Sequence, residues 1–418
     1  MGSFIIQGCN SIEGVVDIGG SKNAALPILA STVICGREYL LDNIPDIEDV
    51  RDMLDILRIM GCTVQYDKGV ALIDTRNLNT HQVPERLVRK IRSSIILMGA
   101  ILQRTGNVEI AYPGGCEIGL RPIDLHLKGL KKLGVEIYER SGFLIGSVRE
   151  PQGCEIMLDY PSVGATENIM LFAVGIPGRT VIYNPAREPE IVDLQNFLNV
   201  CGYRVEGAGT GIIEIEGKNI ENTDTVEYKI ISDRIEAGTY LSAASSMKSR
   251  IYLRNIEKSH FNSITSIYED AGCEIRETHG TIVVNNSGRL KAIDKITTQP
   301  YPGFPTDMQA QLMASMATAD GMTIIEETVF DSRFKHVPEL QKMGADITII
   351  GRAAIVEGVE RLQGTEVEAK DLRGGAALVL AAIGAEGTTK VNNIHHINRG
   401  YEKFVDKLQK LGVIISEI

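Results

Sequence analysis

A glycine placed between an amphipathic stretch and an alternating apolar run recurs six times along the chain. The copies read "LRIMGCTV", "LKKLGVEI", "LNVCGYRV", "YEDAGCEI", "LQKMGADI" and "LQKLGVII". Their glycines are Gly61, Gly134, Gly202, Gly272, Gly344 and Gly412, at intervals of 73, 68, 70, 72 and 68 residues. An amphipathic helix closing on glycine takes a left-handed residue just past its last turn, and the run beyond has the two-residue period of a strand. Self-similarity at a fixed period makes the chain an array of one supersecondary unit.

A second helix keeps step with the first: "SKNAALPILAS" (from Ser21), "RSSIILMGAIL" (Arg92), "SVGATENIMLFAVG" (Ser162), "SDRIEAGTYLSAAS" (Ser232), "TDMQAQLMASMA" (Thr306) and "LRGGAALVLAAIG" (Leu372). These segments are rich in small residues and carry almost no charged face, so they are expected to be buried. Each unit therefore reads as small-residue helix, strand, amphipathic helix, strands. The last unit stops at "LGVIISEI", while the first residues resemble the part it lacks. The expected layout is one domain of three units over 21–231, carrying the Cys116 loop. A second domain of three units takes residues 1–20 and 232–418 and is completed by the N-terminal strands. Crossovers near 20 and 231 would form a double hinge around a ligand cleft.

Composition narrows the function. The formal charge of −11 argues against nonspecific nucleic-acid binding, which needs a basic footprint. No apolar run reaches the roughly 18 residues of a membrane-spanning helix, and "MGSFIIQGCN" has no basic leader, so no membrane partner is expected. Seven cysteines without C-x-x-C or zinc spacing fit a reducing cytoplasm. "GAGTGI" at 207–212 lies between strand segments and reads as a hairpin turn, and His395–His396 lacks a third ligand. Neither a metal nor a cofactor is expected.

Positive charge stands where helices disfavour it. A cation in a helix's first turn costs roughly 0.3–1 kcal/mol. Yet with Ser21 as cap Lys22 takes the first position, Asp371 caps a helix with Arg373 in its first turn, and Asn398 reads as the cap before Arg399. Arg121 precedes Pro122, and Arg92 and Arg333 are read at similar starts. Recurrent cations beside free N–H groups suit anionic ligands. Cys116, in "YPGGCEIGLRPIDLH", is set in a glycine loop near Arg121, which suits a reactive thiol rather than a packed one. In "FPTDMQAQ", Thr306 with Gln309 reads as a capping box, leaving Asp307 available as a general base.

These segments resemble the enolpyruvyl transferases. The likeness rests on "GGSKNAALPILA", "GGCEIGLRPIDLH", "PSVGATENIM", "DRIEAGTYL", "FPTDMQAQ", "RFKHVPEL", "DLRGGAALVLA" and "NRGYEKF", and spans nearly the whole chain. It implies an α/β fold of two domains, each of three βαβαββ repeats in an inside-out, pseudo-six-fold α/β barrel, with a cleft between domains. It implies transfer of the enolpyruvyl group of phosphoenolpyruvate to the 3′-hydroxyl of UDP-N-acetylglucosamine, releasing phosphate through a tetrahedral intermediate, as the first committed step of peptidoglycan synthesis. Matched to the family pattern, Cys116 is the proton donor, able to carry a covalent adduct, and Asp307 faces the attacking hydroxyl. Lys22, Asn23, Arg121 and Arg399 match phosphoenolpyruvate contacts, with Arg333 and Arg373 on its carboxylate. Arg92, Arg121, Pro122, Ile123, Asp124, Leu125, Ser162, Val163, Gly164, Asp307 and Val329 match nucleotide-sugar contacts. The alternatives are the sister enzyme acting on shikimate 3-phosphate, a non-catalytic six-fold repeat protein and a degenerate paralogue.

Overall fold

The structure is a computed structural model of the 418-residue chain and describes residues 2–113, 123–220 and 224–418. Cys116, Arg121 and Pro122 lie outside the described residues. The chain divides into two compact units. One takes residues 2–19 and 232–418, the other residues between 20 and 231. Each has its own apolar core.

The repeat is realised six times. The amphipathic helices are Glu48–Ile59, Asp124–Lys132, Pro189–Val200, Asn262–Asp270, Val337–Lys342 and Phe404–Lys410. Each is followed by its repeat glycine in the left-handed region, with φ between +87° and +100°. A strand then starts, as at Thr63–Asp67 and Asp346–Ile350. Only a residue without Cβ adopts such φ values without strain, which is why the motif needs glycine.

The small-residue helices are interior. In Leu372–Gly384 every residue from Arg373 to Ile383 is buried, and Arg234–Ser245 is buried throughout. Their hydroxyls are satisfied within the helix: Thr239, Ser242 and Ser245 each donate 2.8 Å bonds to the carbonyl four residues earlier. The helices Arg234–Ser245, Gln309–Met316 and Leu372–Gly384 pack against one another in one unit. In the other, Leu97–Thr105 packs on both Lys22–Ser31 and Val163–Ala173. Close approach depends on small residues. A Cβ at Gly99 would come within 2.3 Å of Asn168 O, and the Gly99 N–H instead donates to Asn168 Oδ1 at 2.7 Å.

Among the described residues, six small sheets cover these helices. In the sheet that holds Asp346–Ile350, the order is Lys295–Thr297, Met322–Glu326, Ala353–Glu357, Asp346–Ile350. The first pair is parallel and the rest antiparallel. The two N-terminal strands divide between sheets. Ser3–Gln7 runs antiparallel to Thr388–Asn392 and Ile414–Glu417, setting Phe4 opposite Val391 and Ile6 opposite Ile415. Ser11–Asp17 instead lies parallel to Lys248–Arg254, with Val16 opposite Leu253. The "GAGTGI" segment is a turn between the antiparallel strands Arg204–Glu206 and Ile212–Glu216.

Candidate active site

In the unit containing residues 232–418, Asp307 is held by two arginines. It lies in the 3-10 turn Thr306–Met308, which leads into Gln309–Met316. Arg333 Nη2 donates to Asp307 Oδ1 at 2.8 Å and to Thr306 O at 3.2 Å. Arg373 donates to Asp307 Oδ2 from Nη2 at 3.1 Å and Nε at 3.3 Å. Both arginine side chains are 3–4% exposed, whereas that of Asp307 is 27% exposed. The group of two guanidinium ions and one carboxylate keeps a net positive charge. Arg333 Nε and Arg373 Nη1 are buried without a hydrogen-bond partner among the described residues. Buried donors of this kind are costly unless something accepts from them.

Local sequence explains the placement. Asp371 caps Leu372–Gly384 by accepting from Gly374 N–H at 2.8 Å, which fixes Arg373 in the first turn. The Tyr401 ring centroid lies 5.4 Å from Arg373 Cζ, and the Phe330 ring 5.6 Å from Arg333 Cζ. Tyr401 is tied by its hydroxyl to Thr239 Oγ1 at 2.9 Å. Burial opposes the Arg373 charge, but Tyr401, Asp307 and Asp233 outweigh it and raise its pKa. His336 is fully buried near Asp371 and Arg333, and burial lowers its pKa to about 4. The ring is therefore uncharged at neutral pH and adds no third cation.

Three sequence expectations change here. Thr306 and Gln309 do not form a capping box. The Thr306 hydroxyl donates to Glu327 Oε2 at 2.9 Å, and Gln309 is fully buried in the core. Glu327 Oε1 in turn accepts from the N–H groups of Val329 and Phe330, at 2.8 and 3.0 Å, so this buried carboxylate shapes the Val329 loop and docks it on Thr306. Asn398 does not cap a helix that begins at Arg399. It ends the short helix His395–Asn398, and Arg399 is the C-terminal flanking residue, because Asn398 N–H already bonds back to Ile394 O at 3.0 Å. Arg333 lies in irregular chain ahead of Val337–Lys342 rather than at a helix start.

In the unit of residues 20–231, Ser21 caps Lys22–Ser31 through Ala24 N–H at 3.3 Å, placing Lys22 first and Asn23 second. Lys22 Nζ lies 2.8 Å from Asp49 Oδ2, a nearly buried carboxylate. Arg92 opens the 3-10 helix Arg92–Ile96. Ile123 flanks Asp124–Lys132, whose first residues are Asp124 and Leu125. Ser162 caps Val163–Ala173 through Ala165 N–H at 3.3 Å, with Val163 and Gly164 in the first turn.

Two of these segments are joined by His126. Asn168 Oδ1 accepts from Gly99 N–H, so its Nδ2 is the donor to Ile95 O at 2.9 Å and to His126 Nδ1 at 2.8 Å. Nδ1 therefore accepts, and the neutral ring carries its proton on Nε2. Burial, reinforced by Arg92, lowers the His126 pKa to about 4. Asp49, Glu327, Asn168 and Tyr401 were not singled out by the sequence reading. Tyr401, inside "NRGYEKF", and Asn168, inside "PSVGATENIM", had a signal in those motifs.

The fold and this cationic carboxylate site define a class, the carboxyvinyltransferases. A model of EPSP synthase (3-phosphoshikimate 1-carboxyvinyltransferase) matches residues 6–408. The enolpyruvyl transferase NikO from Streptomyces tendae superposes with a TM-score of 0.90 at 25% identity, over 100% of this chain and 98% of that one. EPSP synthase from Acinetobacter baumannii shares the fold, with a TM-score of 0.76 at 18% identity over the full length of both chains. UDP-N-acetylglucosamine 1-carboxyvinyltransferase 2 of Caldanaerobacter subterraneus subsp. tengcongensis is 48% identical over 418 residues, covering both chains entirely. The Thermotoga petrophila UDP-N-acetylglucosamine 1-carboxyvinyltransferase is 47% identical over 100% of this chain and 99% of its own. The chain belongs to the enolpyruvyl transferase family, on the branch of the UDP-N-acetylglucosamine 1-carboxyvinyltransferases. No helix among the described residues is long and apolar enough to cross a membrane.

Proposed function

We propose that the chain transfers the enolpyruvyl group of phosphoenolpyruvate to the 3′-hydroxyl of UDP-N-acetylglucosamine, releasing phosphate, in the cytoplasmic stage of peptidoglycan synthesis. The observation that carries this reading is the pair of buried arginines on Asp307, which offer unmet donors and net positive charge to an anionic substrate.

In this reading Arg333 and Arg373 hold the phosphoenolpyruvate carboxylate. Lys22, Asn23, Arg121 and Arg399 hold its phosphate end. Arg92, the run Arg121 to Leu125, Ser162 to Gly164 and Val329 hold the nucleotide sugar. Asp307 Oδ1 accepts one bond from Arg333 and Oδ2 accepts two from Arg373, and the carboxylate stays 27% exposed. Asp307 can therefore accept the proton of the attacking hydroxyl while staying fixed in place. As the hydroxyl oxygen bonds to the enolpyruvyl carbon bearing the phosphate, Cys116 gives a proton to the methylene carbon, forming the tetrahedral adduct. Removal of a proton from the new methyl group and departure of phosphate then restore the vinyl double bond. The arginines are placed before the reaction begins, so their stabilisation of charge needs little rearrangement.

The test is phosphate release by the purified chain with each substrate alone and with both. Release only with phosphoenolpyruvate and UDP-N-acetylglucosamine together is expected. Turnover with shikimate 3-phosphate in place of the nucleotide sugar would overturn the assignment.

A further inference from the structure

The unit of residues 20–231 holds a pocket of about 510 Å³, lined by Arg37, Cys201, Lys218, Ile220, Thr225 and Val226 among others. That volume lies in the range of small-molecule sites. None of these residues is assigned to the transfer reaction. Lys22, which is, opens the helix Lys22–Ser31, whereas Arg37 follows its far end. A ten-residue helix is about 15 Å long, so the pocket and Lys22 stand well apart.

Arg37 sets the chemistry. It is 2% exposed, yet Nε and Nη2 meet no hydrogen-bond acceptor among the described residues. A guanidinium does not shed its proton, so the charge stays. Several of the described groups around it carry no charge. Burial pushes the Cys201 thiol up to about 12, although Arg37 pulls the other way. Burial likewise raises the Tyr39 and Tyr203 hydroxyls, and Cys35 Sγ and Tyr203 OH bond to each other at 2.8 Å. The Cys201 thiol and the Tyr39 and Tyr203 hydroxyls are neutral at pH 7. The Glu38 carboxylate, next in sequence, accepts from Thr225 Oγ1 at 3.1 Å. Asp224, Glu227 and Lys218 also line the pocket, but all three are solvent-exposed, where water screens them.

We propose that this pocket is a second anion site, which takes a small oxyanion-bearing organic molecule. The oxyanion pairs with the Arg37 guanidinium, whose fork can grip two oxygens at once. The remainder lies against Cys201, Ile220 and Val226. Nothing in this assignment depends on the transfer reaction proposed above.

Two measurements on the full chain decide it. Crystals soaked in selenate are expected to show an anomalous peak within hydrogen-bond distance of Arg37. In solution, stabilisation by inorganic phosphate at constant ionic strength is expected to contain a component that weakens about ten-fold in Arg37→Gln and less in Arg37→Lys, which keeps the charge and loses the fork. Phosphate release from phosphoenolpyruvate, followed in the same variants, is expected to stay at the wild-type rate and so reports folding. If Arg37→Gln does not fold, Arg37→Lys and the wild-type soak carry the test. A selenate map with peaks elsewhere and none at Arg37, or phosphate affinity unchanged in the folded variants, overturns the proposal.

Discussion

Arg373 Nη2 and Asp307 Oδ2 meet at 3.1 Å although 66 residues separate them. Arg333 closes on the other carboxylate oxygen at 2.8 Å. Asp307→Asn keeps the shape of this group and removes the proton acceptor. The expected result is a fall in kcat of about 10²–10⁴-fold with a modest change in KM. Steady-state kinetics on a variant with a wild-type melting profile measure it, and an effect confined to KM would rule out the base role.

Arg373→Lys tests whether the site needs a fork or only a charge. The lysine keeps one positive charge but cannot grip Asp307 and a substrate carboxylate together. KM for phosphoenolpyruvate is expected to rise about ten-fold, as for the loss of one charge-assisted bond, with little change in KM for the nucleotide sugar.

Cys116→Ala is expected to abolish turnover and also labelling by the epoxide fosfomycin, read as a mass increment on the intact protein. The buried thiols of Cys62 and Cys201, pushed up to about 12 by burial, are protonated at neutral pH and are expected to stay unlabelled. Peptide mapping that finds the label at either of them would contradict this.

His336 gives a signed pH dependence. Burial lowers its pKa from 6.5 to about 4, so between these values the unfolded chain binds a proton that the folded chain does not. The contribution to stability is complete above pH 6.5 and is lost as pH falls towards 4. The melting temperature of His336→Asn should therefore decline less than that of the wild type over this window. A parallel decline in the two proteins would show that His336 does not titrate as described.

Gly344 isolates the backbone term of the repeat. Its φ is +91° and a Cβ there would meet nothing within 4 Å. Gly344→Ala is then expected to cost about 1–2 kcal/mol from the left-handed conformation alone, with Gly344→Asn costing less. Chemical denaturation with an unchanged slope reads the difference.

Much of the fold was legible because its signals are local. The six glycines announce left-handed helix ends, and all six have them. The uncharged helices announce burial, and the Arg373–Ile383 stretch has it. The caps at Ser21 and Asp371 were equally plain, each an oxygen reaching the N–H three residues on. Local reading failed where two structures fit the same few residues. "TDMQ" matches a capping box, but a distant carboxylate, Glu327, takes the Thr306 hydroxyl. "NRG" matches a helix start, but Ile394 begins the turn earlier.

The order of residues by itself determined the period, the secondary structure of each unit and which cations and carboxylates were unusual. Tertiary structure alone decided which of them meet: Asp307 with Arg333 and Arg373, Lys22 with Asp49, His126 with Asn168. It also decided that Ser3–Gln7 and Ser11–Asp17, four residues apart, join different sheets. The reason is physical. Helix and turn preferences act over a few residues, whereas an ion pair or a strand pairing depends on distance in space, which sequence separation does not set.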